Sequence, residues 1–194
     1  EGGRRVGEIK MDAAIIKYSD ADNGHDLALL MVRAKDYGKD SAEFFIEKKD
    51  NIAEIGTPLF HVGSLLGQMG ANSMTAGIVS QVGRTMGKVE FDQTTVTAFP
   101  GSSGGGVFLE DGRYMGMLVR GAGEGFNLVV PIRRMLSWAS KNDLLWALDA
   151  SLEVPTLEEI EDMAIEATSL KKKGGAGAGS EKDYPFLIRE SIKK

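Results

Sequence analysis

What most constrains this chain is a serial pattern in its first ~150 residues. Short apolar or alternating runs of 4–12 residues recur at 13–18, 27–32, 42–46, 58–62, 74–82, 88–99, 106–109, 114–119 and 127–130. Clusters of Gly, Asn, Asp and Ser separate them, at 20–24, 67–72, 101–106, 111–112 and 121–125. Runs this short, bounded by turn-forming residues, predict strands and an all-β sandwich or barrel. Glycine supplies the turns: it is 25 of 194 residues, about 13%, against an ordinary ~7%. Between two such runs, Glu110-Asp111-Gly112-Arg113 predicts a hairpin loop, because Asp-Gly supplies the positive φ that a tight reversal needs.

After Pro131 the period changes. Ile132, Met135, Leu136 and Ala139 recur at helical spacing, with Leu144, Leu145 and Leu148 beyond. The pattern predicts a helix over 132–140, a break near Asn142 and a second turn or helix to about Ala150. The last 44 residues read as peripheral. Residues 151–170 hold six acidic and no basic side chains. Thr156-Leu157-Glu158-Glu159 has the spacing of a capping box, predicting a short amphipathic helix on Leu157, Ile160, Met163, Ala164 and Ala167. Lys171 to Ser180 reads as a flexible linker, and 171–194 carries seven basic and three acidic residues. The lysines at 171–173 read as solvated linker charge.

Composition excludes several kinds of function. A net charge of −5 offers no global basic footprint for nucleic acid. With no cysteine there is no disulfide, thiol nucleophile or thiolate metal site, and two histidines leave little for a metal centre. No apolar run reaches the length of a membrane-spanning helix. The chain opens on Glu1 rather than Met, so the sequence is expected to be a fragment.

Two segments can carry chemistry. In Phe99-Pro100-Gly101-Ser102-Ser103-Gly104-Gly105-Gly106 a serine sits among glycines after a β run. A nucleophile needs that setting: a sharp turn, a hydroxyl lifted clear, and two backbone N–H groups aimed at one oxygen. The alternative is an ordinary Gly/Ser turn. In Asn23-Gly24-His25-Asp26-Leu27-Ala28-Leu29-Leu30 an aspartate opens an apolar strand, where a carboxylate can orient an imidazole. The alternative is a turn residue leading into the strand. Gly121-Ala122-Gly123-Glu124-Gly125 is not a phosphate loop, since no Lys-Ser/Thr follows. Trp138 and Trp146 are expected to anchor the terminal helical region.

Taken in order, these segments resemble the chymotrypsin-like serine peptidases, nearest the disulfide-free bacterial Deg/HtrA branch. Gly101-Ser102-Ser103-Gly104-Gly105 resembles the Gly-Asp/Asn-Ser-Gly-Gly signature, and Asp26-Leu27-Ala28-Leu29-Leu30 the strand bearing the triad aspartate. Ile55 to Ser64 resembles the first strand of the second barrel. Met74-Thr75-Ala76-Gly77-Ile78-Val79-Ser80 is similar to the branch's T-x-G-I-V-S strand. Residues 112–117 resemble the strand after the nucleophile, and Gly125-Phe126-Asn127-Leu128-Val129-Val130-Pro131-Ile132 the closing strand. The resemblance spans about residues 5 to 148 and implies an all-β, two-barrel fold. Residues 1–56 would be the remaining part of a first barrel, short of strands and exposing apolar edges. Residues 57–150 would be a six-stranded second barrel with its helix, and 151–194 an acidic helix and basic tail.

The resemblance also implies the chemistry. Ser103 would be the nucleophile, Asp26 the orienting acid, and the N–H groups of Gly101 and Ser103 the oxyanion hole. Thr97 falls at the base of the substrate pocket, with Arg120 and Gly121 on a wall. No acid stands at that base, so a preference for basic side chains is not implied. The chain departs from the pattern in two places. Ser102 stands where Asp or Asn is usual. No Thr-Ala-x-His segment precedes Asp26: His25 is its immediate neighbour and reads as a turn residue, and His61 as a packing or surface residue. The catalytic histidine would then lie upstream of these residues. The activity implied is a serine endopeptidase acting on protein or peptide through an acyl-enzyme, with no cofactor or metal and neither nucleic acid nor membrane as partner. The alternatives are an inactive module of the same fold used for binding or structure, and an unrelated β-barrel binding module.

Overall fold

Alternation decides which side of each strand is buried. In Pro58–Leu65 (β3), Leu59 and His61 are buried and Val62 is exposed. In Asn127–Pro131 (β8) every residue is buried, because one face points into a barrel and the other lies under a helix. The computed structural model describes residues 11–21, 24–32, 41–48, 53–121, 123 and 125–165. These fall into two compact units. One holds the described residues up to Ser41 and those from Val154 onward. The other holds those between Ala42 and Glu153.

In the first unit, Ala13–Ser19 (β1) and Leu27–Val32 (β2) pair antiparallel as a two-stranded sheet, with a bulge between Ile15 and Lys17. Ile15 and Leu30 face each other and are both exposed. Leu157–Glu161 (α2) begins at Thr156, and the expected capping box is present. The Thr156 hydroxyl accepts from Glu159 N at 3.3 Å, and Thr156 N donates to the Glu159 carboxylate at 2.8 Å. The Tyr18 N–H donates to Ile165 O at 2.8 Å, tying β1 to the chain after α2.

In the second unit, β3 is followed by Gly70–Met86 (β4), Val89–Thr94 (β5), Gly106–Leu109 (β6), Tyr114–Gly121 (β7) and β8. They close into an antiparallel barrel of order β3-β4-β5-β8-β7-β6, the six-stranded barrel expected from the sequence. The 110–113 hairpin is there too, with Gly112 at φ 85° and Leu109 N donating to Arg113 O at 2.9 Å. Leu59, Val79, Val96, Val107, Leu118 and Val129 fill the core. Each such side chain contributes about 2 kcal/mol by leaving water.

The chain then enters Ile132–Lys141 (α1), one residue longer than expected, and a short 3-10 turn over Leu145–Ala147. Ile132, Met135, Trp138 and Ala139 form the buried stripe of α1. Its polar anchor is Arg133, which donates to Asp92 at 2.9 Å, Glu90 at 2.6 Å and Glu47 at 3.1 Å. Asp92 is 1% exposed and also accepts from Gly83 N at 3.0 Å.

Three expectations are corrected. The run at 42–46 is not a strand: it makes one parallel bridge, Phe44 to Tyr114. Phe45 N donates to Tyr114 O and Tyr114 N to Glu43 O, and from Gly116 on that edge of β7 is taken by β8. The run at 88–99 ends as a strand at Thr94, whose hydroxyl turns back to Ile78 O and accepts from Val96 N. The described residues among 42–56, read from the sequence with the first barrel, pack in the second unit, because Phe45 and Ala53 lie in its core. The linker and tail from Lys171 to Lys194, Ala167, and parts of the 20–24 and 121–125 turns lie outside the described residues.

Candidate active site

The 101–106 turn is held from two sides. Leu66 N donates to Pro100 O at 2.7 Å on the β3 side. On the β7 side, Gly104 N donates to Leu118 O at 2.7 Å, and Leu118 N to Gly105 O at 3.0 Å. Gly101 has φ 94°, and a Cβ there would come 2.5 Å from Ser64 O, so only glycine fits the approach.

Inside this turn the two serines part. Ser102 is 1% exposed, and its Oγ accepts from Phe99 N at 3.1 Å, stapling the turn shut. Ser103 is exposed, and its hydroxyl donates to Val119 O at 3.3 Å. The backbone donors divide as well. Ser102 N goes to Phe99 O, Gly104 N to Leu118 O and Gly105 N to Ser102 O. Among the described residues, the N–H groups of Gly101 and Ser103 have no such acceptor. Two donors left over beside an exposed hydroxyl can stabilise an oxygen that becomes negative.

The residues expected to border the substrate pocket are linked to this turn by strand pairings and hydrogen bonds. Arg120 and Gly121 follow Val119 on β7, and Gly121 pairs with Asn127 on β8. Asn127 is buried, and its Nδ2 donates to Val96 O at 2.7 Å, next to Thr97. Thr97 is exposed, and its carbonyl accepts from the Thr75 hydroxyl at 2.8 Å. In the sequence Asn127 is marked only as a polar residue in the closing apolar run.

Asp26 stands in the other unit, half-buried at the head of β2. Its φ of 55° is left-handed, a conformation Asp tolerates better than most residues. Its N–H donates to Asp20 O at 3.3 Å, and the preceding His25 N donates to Ser19 Oγ at 2.7 Å. His61 is fully buried, a packing residue rather than a surface one. Its Nδ1 lies 3.1 Å from Gly106 O, and burial lowers its pKa from 6.5, partly opposed by that hydrogen bond. Among the described residues no group of three or more His, Asp or Glu is placed to hold a metal ion, and no helix is long and apolar enough to cross a membrane.

The "Trypsin-like peptidase domain" family model matches residues 4–117, more than half the chain. The chain is 29% identical over 163 residues to the "Probable periplasmic serine endoprotease DegP-like" of Pseudomonas fulva, covering 80% of this chain and 33% of that protein. It is 33% identical over 120 residues to the "Serine protease Do-like HtrA" of Lactococcus lactis subsp. cremoris, covering 57% of this chain and 28% of that protein. The chain therefore spans about a third of the length of these relatives. The family match runs from ahead of the aspartate-bearing strand through the serine turn into β7, and the chain belongs to the trypsin-like peptidase family, on its Deg/HtrA side.

Proposed function

We propose that the chain is the aspartate- and serine-bearing part of a serine endopeptidase that cleaves proteins or peptides through an acyl-enzyme. The observation that carries this reading is the division of labour in the 101–106 turn. Ser103 offers its hydroxyl to solvent beside two uncommitted N–H groups, while Ser102 is spent on Phe99 N. Ser103 Oγ attacks the scissile carbonyl as an imidazole takes its proton. The carbonyl oxygen, now negative, is held by the N–H groups of Gly101 and Ser103. The imidazolium then protonates the leaving amine, and water releases the acyl group by the same route in reverse. Asp26 orients that imidazole and stabilises its cation.

The base is neither His25, the chain neighbour of Asp26, nor His61, which is sealed from solvent. It is a histidine outside these 194 residues, and these residues alone do not turn over substrate. Thr97, Arg120 and Gly121 border the substrate pocket, and with no acid at its base a preference for Lys or Arg at the cleaved bond is not implied.

The test is hydrolysis by the protein that carries the histidine. Ser103→Ala lowers kcat by at least about 10⁴-fold, whereas Ser102→Ala keeps most of it. Turnover by Ser103→Ala, or by the 194 residues alone, overturns the assignment.

A further inference from the structure

We infer that His61 is a positioning residue for the serine turn, holding it in shape while neutral and releasing it when protonated. The inference rests on the reading of Ser103 as nucleophile only for its effect on catalysis.

The geometry is particular. His61 is fully buried on the inner face of β3. A carbonyl oxygen only accepts, so the contact with Gly106 O at 3.1 Å puts the ring's proton on Nδ1. Nε2 is then a bare lone pair, and it is buried with no partner among the described residues. The ring is also wedged. A Cβ at Gly63 would lie 2.7 Å from Nε2. One at Gly105 would meet both the ring and the Ser102 carbonyl oxygen, the latter at 2.9 Å. Two glycines thus make the space the ring fills, and one of them belongs to the turn that presents Ser103. On the neighbouring strands His61 pairs with Thr75 of β4 and Val107 of β6. None of Gly63, Thr75, Ser102, Gly105, Gly106 or Val107 carries an ionisable side chain, so no carboxylate faces the ring from these elements.

A second proton therefore arrives at a bad address. It gives Nε2 a proton where the ring has no partner among the described residues and puts a charge in a site sealed from water. The site relaxes by letting the ring out, which breaks the bond to Gly106 O and empties the space under Gly105. The direction is fixed by linkage. Burial holds the folded-state pKa below the ordinary 6.5, so stability from neutral His61 is complete above about 6.5. It is lost as pH falls toward the folded value.

The test is NMR of the ring and backbone amides between about pH 8 and pH 4.5, with His25 as the internal control. The His61 ring is expected to titrate below 6.5, and the amides of Ser103, Gly104 and Gly105 to move with the same midpoint. His61→Asn keeps an N–H near the Nδ1 position but cannot titrate. In it the midpoint should vanish from the turn while the spectrum near pH 7.5 is retained. Turn amides that stay flat through the His61 midpoint, or that keep the midpoint in His61→Asn, overturn the inference. Should His61→Asn not fold, the wild-type comparison of the two midpoints decides alone. In the complete peptidase, kcat should fall about tenfold one pH unit below that midpoint, with KM unchanged, and His61→Asn should remove this limb from the profile. Activity surviving in Ser103→Ala would sink the nucleophile reading and leave the amide coupling standing. Flat amides would do the reverse.

Discussion

Ser102 and Ser103 share a peptide bond, yet one hydroxyl is a structural acceptor and the other faces solvent. Ser102→Ala leaves Phe99 N–H without its acceptor in a part-buried turn. It should lower the unfolding free energy by about 1–2 kcal/mol, read from a urea titration with unchanged m value. An unchanged midpoint would show that water replaces the hydroxyl. The sequence flags the serine tract through its glycines, and the resemblance to the peptidase signature chooses Ser103. The role of Ser102 is hidden there, because it depends on the turn bringing Phe99 N back to it. His61 is half legible. Strand parity puts it on the same face as Leu59, but its bond to Gly106 O joins residues 45 apart.

Periodicity is a good guide to elements whose burial is one-sided. The α1 stripe and the capping box of α2 are local, and both form where the sequence places them. The run at 42–46 misleads because its apolar residues are buried without a ladder. Phe45 enters the core while its backbone makes a single bridge. What fixes α1 to the barrel is likewise invisible locally, since Arg133 meets carboxylates from 41 and 86 residues away. Arg133→Ala strands the buried Asp92 carboxylate. It should cost about 3 kcal/mol, visible as a lowered thermal midpoint. The double variant Arg133→Ala/Asp92→Ala should recover part of the loss, and no recovery would mean the pair is not the anchor.

The two units differ in how much backbone each protects. The barrel closes on itself, whereas β1 and β2 form a two-stranded sheet with Ile15, Leu30 and Val32 exposed. A sheet of two strands is marginal by itself. Amides of 13–19 and 27–32 should exchange with deuterium about 100-fold faster than those of 127–131, measured by mass spectrometry. Equal protection would show that the units open as one. At this scale the barrel was legible as an ordered series of strands and turns, but the allocation of residues 42–56 was not, because contacts distant in sequence decide it. The strand order also sets a schedule. β5 and β6 follow one another in the chain yet stand on opposite sides of the closed ring, and the segment carrying both serines bridges them. Its supports are Leu66, just past β3, and Leu118 of β7, which come together only once β6 has paired with both strands. A nascent or half-folded chain therefore has no assembled turn. During refolding of the protein that carries the histidine, the ability to react with a serine-directed phosphonylating reagent should appear only with the phase in which β6 pairs with β3.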